Sequence, residues 1–269
     1  MSVVNELWTY RGLVYNLAER DLRSRYRRSL LGWTWSLINP AATLAIYTLV
    51  FGTILVVTPP PAGNPDASYF ALYLFAGLLT WNFFSNVLTG SINSLMGMGS
   101  LLNKVYFPPE TPALANVVPV VIQAFIEAFI LVVVLAIVQN LFWTVLLFPL
   151  LLLVLALFAL GFGMALSVYN VLYRDVGYLV AIALQVLFFL TPITYTLNLV
   201  PETVHGIPLR RIFELNPMTQ FVTVSRDLFY FGQLPSLGTV VYLTTLSVAV
   251  VVAGWAIFTR KARSVVEEL

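Results

Sequence analysis

The sequence predicts an all-α membrane protein with six transmembrane helices, an N-terminal amphipathic helix at the interface, and a re-entrant helix pair between spans five and six. Three observations carry this. Of 269 residues, 59% are hydrophobic and only 10% charged, against roughly 25% charged in soluble domains, too few to cover a water-exposed surface. The apolar residues fall in long runs with short polar breaks, and mean hydropathy is +0.89. A hydrocarbon core about 30 Å thick needs roughly 20 helical residues at 1.5 Å each, and six runs reach that order of length. The basic residues then segregate to one side of the six spans.

The chain reads as one transmembrane domain, 1–269. Residues 1–31 form a polar N-terminal segment, expected to be retained because the first apolar run is too long for a signal peptide. Val3, Leu7, Tyr10, Val14 and Leu17 share one helical face. Glu19 and Asp21 stand four residues ahead of Arg23 and Arg25, while Arg20, Arg23 and Arg27 line one side. The pattern by itself fits a helix on an anionic leaflet. A docking surface for a cytoplasmic partner is the functional alternative.

The bundle, 32–258, follows in order. Span one covers 32–57, and the Pro-rich stretch Thr58 to Asp66 forms a stiff external connection. Span two covers 69–92. The loop from Ser94 to Thr111 holds a short helix stopped by Pro108 and Pro109. Its Leu101, Leu102, Val105, Tyr106 and Phe107 must be covered, either by the bundle or by a soluble subunit. Spans three (114–138) and four (141–168) form a tight hairpin around Gln139-Asn140. Between spans four and five, Arg174 obeys the basic-side bias and Asp175 is placed to cap the next helix. Span five covers 177–195. From Thr196 to Leu237 the chain is apolar but broken at Asn216-Pro217, where Pro217 can open a helix capped by Asn216. Two short helices dipping into the membrane fit this stretch, and so does an external helix lying flat. Span six covers 238–258, leaving the tail 259–269.

Six Arg precede span one (Arg11, Arg20, Arg23, Arg25, Arg27, Arg28), and Arg260, Lys261 and Arg263 follow span six. With Lys104 and Arg174, eleven basic residues lie on one side against three (Arg210, Arg211, Arg226) on the other. The richer side is cytoplasmic by the positive-inside rule, so both termini are expected in the cytoplasm.

The composition also excludes chemistry. There is no Cys and one His, His205, so thiolate chemistry and a His-based metal cluster are ruled out. No G-x-x-x-x-G-K-[ST] loop is present, so no P-loop ATPase resides in the chain. A net charge of +2 gives no argument for nucleic acid. Neither catalytic residues nor a bound cofactor or metal is expected. Glu127 is the ionisable residue that falls clearly inside a span, with Gln123 one turn away. Tyr47 and Phe51, Trp81 and Phe84, and Phe188, Thr191 and Tyr195 each share a helical face. Packing is the default for such residues, but sugar rings stack their C–H faces on aromatics, so the set is also a candidate channel lining.

Several motifs then recur together. Arg25-Tyr-Arg-Arg-Ser-Leu-Leu-Gly-Trp-Thr-Trp35 running into Asn39-Pro40 resembles the start of span one in ABC-2 type polysaccharide exporter permeases. Asn103-Lys-Val-Tyr-Phe-Pro-Pro109 resembles their K-V-Y-F-P segment, Pro109 standing where relatives often carry a basic residue. Tyr173-Arg-Asp-Val176, Thr191-Pro-Ile-Thr-Tyr195 and Asn216-Pro-Met218 are similar to three further signatures, in the same order. The likeness is to Wzm-type permeases of O-antigen, teichoic-acid and galactan exporters, with the mycobacterial galactan branch nearest.

That resemblance implies a homodimeric half-transporter in the bacterial cytoplasmic membrane, moving a lipid-linked polysaccharide outward. ATP and Mg would be bound by two copies of a separate nucleotide-binding subunit. Arg20, Arg23, Arg27, Lys104, Val105, Tyr106 and Phe107 would contact that subunit. Spans one and five would line the path, and Asn216, Pro217 and Arg226 would belong to the gating pair. Two rivals stand beside it. A small-solute channel or ion-coupled carrier would require Glu127. A membrane-embedded glycosyl- or acyltransferase would need acid/base groups, yet Arg174/Asp175 and Arg226/Asp227 are expected on opposite sides.

Overall fold

Runs of Leu, Val, Ala and Phe leave the backbone no bonding partner in hydrocarbon except itself, and the chain is helical almost throughout. The computed structural model describes residues 11–25, 31–98, 108–173, 175–204 and 206–266. Helix α1 is Arg11–Arg25. Helix α2, Trp35–Tyr47, starts from a 3-10 turn at Gly32–Thr34 and continues as π-helix over Thr48–Ile54. Helices α3 (Phe70–Asn93), α4 (Thr111–Ile137), α5 (Phe148–Leu172) and α6 (Val176–Phe189) follow. Helices α7 (Leu209–Leu215) and α8 (Pro217–Arg226) meet at Asn216, and α8 ends in a π-turn, Asp227–Phe231. The last helix, α9, is Leu237–Val266.

Among the described residues, five stretches are long and apolar enough to cross a membrane: Gly32–Ile54, Phe70–Asn93, Thr111–Ile137, Trp143–Leu172 and Leu237–Ala262. They coincide with predicted spans one to four and six. The predicted fifth, 177–195, is helical only over Val176–Phe189, about 21 Å at 1.5 Å per residue. Pro192 lacks a backbone donor and disfavours helical backbone at Thr191, so apolar residues beyond Phe189 do not extend the helix.

Helix α3 is the hub. It is buried along most of its length, with Leu74, Leu79, Phe83, Val87 and Ile92 enclosed by its neighbours. Helices α5 and α9 meet backbone to backbone where Gly161 faces Gly254, and a Cβ on Gly254 would land on the Gly161 carbonyl. Small residues permit this approach in a bilayer, where close van der Waals packing replaces the hydrophobic effect between helices.

The Asn140 end of the bundle is tied by side chains. The Asn140 Oδ1 accepts from the Asn64 amide at 2.8 Å, and its Nδ2 donates to the Tyr230 carbonyl at 3.0 Å. Tyr230 donates its hydroxyl to the Pro60 carbonyl at 2.8 Å, and Thr144 donates to the Leu228 carbonyl at 2.7 Å. The Pro-rich loop, the connection between spans three and four, and the end of α8 are thereby one unit. The tight hairpin expected at Gln139-Asn140 is observed, with Gln139 in the left-handed region (φ 58°).

Candidate functional site

Helix α1 buries Leu17 and Ala18 and packs on α4, and Val14 is half-buried. The Glu19–Arg23 pair forms at 2.5 Å on its exposed side, the kind of i,i+4 pair that adds a few tenths of a kcal/mol. Arg20 and Arg23 are exposed. Arg20 and Asp21 also border a cavity of about 160 Å³, with Asn93 and Ser94 at the end of α3 and Asn116 on α4 opposite them. Val3, Leu7, Tyr10, Arg27, Arg174 and the segment Lys104 to Phe107 lie outside the described residues, as does the side chain of Arg25.

The proposed lining aromatics divide. Tyr47 and Phe51 remain half-buried, their rings 6.0 Å apart. Trp81 and Phe84 are enclosed within the chain, Trp81 against Phe188 (5.4 Å) and Phe84 against Phe158 (5.8 Å). Thr191 is fully buried, whereas Phe188 and Tyr195 keep part of their surface. Trp81 and Phe84 turn inward because α5 and α6 pack along that side of α3. The outward face of α3 is instead polar: Asn82, Asn86, Thr89 and Asn93 are exposed.

Beside this face lies Glu127. Gln123 Nε2 donates to Glu127 Oε1 at 3.2 Å and to the Ser36 carbonyl at 3.3 Å. A void of about 10 Å³ between these side chains, Asn82 and Asn86 is near the size of one water. The carboxylate anticipated in span three therefore sits in an amide cluster joining α2, α3 and α4.

The second constellation gathers the Thr191-Pro-Ile-Thr-Tyr195 and Asn216-Pro-Met218 segments. Asn216 caps α8, its Oδ1 accepting from the Met218 amide at 3.0 Å, and Pro217 opens the helix as expected. Asn216 Nδ2 donates to the Leu190 carbonyl at 3.2 Å and to Thr191 Oγ1 at 3.1 Å. At the far end of α8, Arg226 is only 3% exposed. Its Nη1 and Nη2 donate to the Pro192 and Ile193 carbonyls, each at 2.7 Å, and its Nε to the Tyr73 carbonyl at 3.3 Å. The guanidinium also lies 3.7 Å from the centre of the Tyr73 ring. Burial lowers the Arg226 pKa to about 10, which leaves it protonated at neutral pH.

No carboxylate pairs with Arg226 among the described residues; three carbonyls and a ring do so instead. Sequence reasoning had Arg226 in the re-entrant set but not Tyr73, Pro192 and Ile193 as its partners. The available signal was an Arg embedded in an apolar helix. No group of three His, Cys, Asp or Glu among the described residues is placed to hold a metal.

A bundle of long apolar helices, five of them among the described residues able to cross a membrane, is the architecture of a multi-pass membrane protein. The chain belongs to the ABC-2 type transporter family, whose model matches residues 13–230. It is 31% identical to an O-antigen export system permease protein, RfbA, of Myxococcus xanthus, over 100% of both chains. It is 27% identical to an RfbA permease of Klebsiella pneumoniae over 82% of each chain. Against the polysialic acid transport protein KpsM of Escherichia coli it is 23% identical over 89% of each.

Proposed function

We propose that this chain is the permease subunit of an ABC exporter that carries a lipid-linked polysaccharide outward across the bacterial cytoplasmic membrane. The end-to-end likeness to O-antigen export permeases carries this reading. ATP and Mg bind a separate nucleotide-binding subunit, present in two copies, because this chain has no phosphate-cradling loop. Galactan is one polymer class within the reading.

The chain works as a homodimer with six crossings, both termini cytoplasmic and α7–α8 re-entrant. The short α6 supplies the fifth crossing, completed by the buried Thr191–Ile193 turn. Support for a second copy comes from α6, which has no buried residue, and α2, which buries only Ser36, Pro40 and Leu44. Arg20, Arg23 and Arg27 with Lys104–Phe107 form the ATPase-facing surface, and Asn216, Pro217 and Arg226 hold the external closure. ATP shifts the dimer between closed and open forms through contacts that differ between the two states.

The test is reconstitution with the nucleotide-binding subunit in vesicles, reading ATP hydrolysis and polymer movement together. Polymer movement that needs ATP, and hydrolysis that responds to substitutions at Lys104–Phe107, are expected. Hydrolysis indifferent to those substitutions refutes the coupling surface. Loss of transport in Glu127→Gln with normal hydrolysis would favour an ion-coupled carrier instead.

A further inference from the structure

The outward face of α3 is out of place in a bilayer. Asn82, Asn86, Thr89 and Asn93 recur at i, i+4, i+7 and i+11, one helical face, on a helix otherwise almost wholly buried. Thr89 and Asn93 are linked, Asn93 Nδ2 donating to the Thr89 carbonyl at 3.0 Å. Asn86 makes no side-chain hydrogen bond to any described residue. Asn93 Oδ1 also accepts from Asn170 Nδ2 at 3.4 Å, and Asn82 bonds the Glu127 carboxyl. Asn86 is therefore the amide left facing outward, and facing hydrocarbon it would cost several kcal/mol unless it meets water or another polar surface.

Its neighbours define a groove. On one side Trp81 abuts Phe188 of α6. On the other, Asn82 and Asn86 border Gln123 and Glu127 of α4, and Gln123 reaches the Ser36 carbonyl of α2. The Asn82–Asn86 end of the row therefore lies between α6, reached through Trp81, and α4, with α2 behind Gln123. The eleven helical rises from Asn82 to Asn93 cover about 16 Å, roughly half of the hydrocarbon core. At the other end of the row, Asn93 lines the cavity that Arg20 and Asp21 also border.

We infer that the Asn82–Asn86–Thr89–Asn93 row is the hydrated wall of the translocation path and hydrogen-bonds the hydroxyl groups of passing sugar units. This rests on the export reading above. The row itself is uncharged, and each amide both donates and accepts, as a sugar hydroxyl does. An ion would call for paired charges, and a lipid tail would leave the amides unsatisfied. On the proposed orientation the row lies in the cytoplasmic half of the membrane, where the polymer enters.

The chain has no Cys, so each single substitution supplies a unique thiol. In membranes holding the chain with its ATPase subunit, Asn86→Cys and Thr89→Cys are treated with a charged, water-soluble methanethiosulfonate. Leu153→Cys on α5, where the leucine is 57% exposed, is the hydrocarbon-facing control. The cysteine thiolate, which forms only in water, is the nucleophile that attacks the reagent's sulfenyl sulfur, forming a disulfide and expelling methanesulfinate. Reaction at 86 and 89 at least about tenfold faster than at 153 is expected, a difference near 1.4 kcal/mol in barrier. Rates equal to the control overturn the hydrated wall, including the case where a second copy seals the row.

Polymer export by Asn86→Leu and Asn86→Ser is then compared at matched thermal stability and ATP hydrolysis. Asn86→Leu should fall about tenfold, the scale of one lost hydrogen bond, and Asn86→Ser should stay within about threefold. Equal export by both variants, with the row reactive, overturns sugar contact and leaves the export reading intact. An unsubstituted complex that exports no polymer removes both.

Discussion

Replacing Arg226 tests whether a buried cation without a carboxylate holds α8 to the bundle. Its three bonds reach Tyr73 on α3 and the Pro192–Ile193 turn, and the ring of Tyr73 adds a cation–π contact. Bonds to a charged donor contribute about 1.5–3 kcal/mol each, about 4–9 kcal/mol for three. Desolvating the guanidinium costs several kcal/mol in the opposite direction. The balance favours the native residue by about 3 kcal/mol, since the carbonyls of Pro192 and Ile193 lose their partner in any apolar variant. Arg226→Lys keeps the charge but not the planar fork, and one strong bond replaces three.

Both Arg226→Met and Arg226→Lys should therefore lower the unfolding midpoint of the purified protein by about 6–12 °C, at 2–4 °C per kcal/mol. Intrinsic fluorescence in detergent follows the transition. Limited proteolysis should show earlier cleavage between residues 194 and 208 in both variants. Met fills nearly the same volume without a charge. An Arg226→Met protein as stable as the native one would mean that the bonds do not repay the desolvation of the guanidinium, refuting the argument.

Three further outcomes follow from the same geometry. Gly254→Ala should cost more than about 3 kcal/mol by forcing α9 off the Gly161 backbone, read as lost folded protein on size-exclusion chromatography. Asn216→Ala removes the α8 cap and the bonds to Leu190 and Thr191, for a loss of about 1–2 kcal/mol in thermal unfolding. Burial pushes the Asp227 carboxyl up to about 6, so ionisation opposes the folded state as pH rises. Asp227→Asn should match the native stability near pH 4, gain through pH 4–6, and remain about 1–2 kcal/mol more stable above pH 6. A constant difference across that range would show that the carboxyl titrates normally in the fold.

The long helices were readable from the sequence because hydrocarbon thickness and backbone satisfaction act on local composition. The Asn216 cap, the turn at Gln139-Asn140 and the Leu17 face of α1 were readable for a related reason, since turns and caps depend on a few adjacent residues. Span five was misjudged at its end: hydropathy kept counting apolar residues past Thr191-Pro192, where the backbone could no longer be helical. The direction of the aromatics was also hidden. Trp81 and Phe84 look like channel residues by spacing, but α5 and α6 cover that side of α3.

What the sequence determined by itself was the class of solvent, the segments that form helix, and the segregation of basic charge. Those follow from transfer free energies and from bonds between near neighbours. The tertiary structure alone decided which face of each helix is enclosed and which distant groups become partners. Arg226 bonds to Tyr73 across 153 residues of sequence, and Asn140 to Tyr230 across 90. No periodicity encodes such pairs, because they arise only when the packed helices place an orphan donor within reach of a carbonyl. The same packing leaves Asn82 and Asn86 outside, so the polar side of α3 emerges only once its apolar sides are covered.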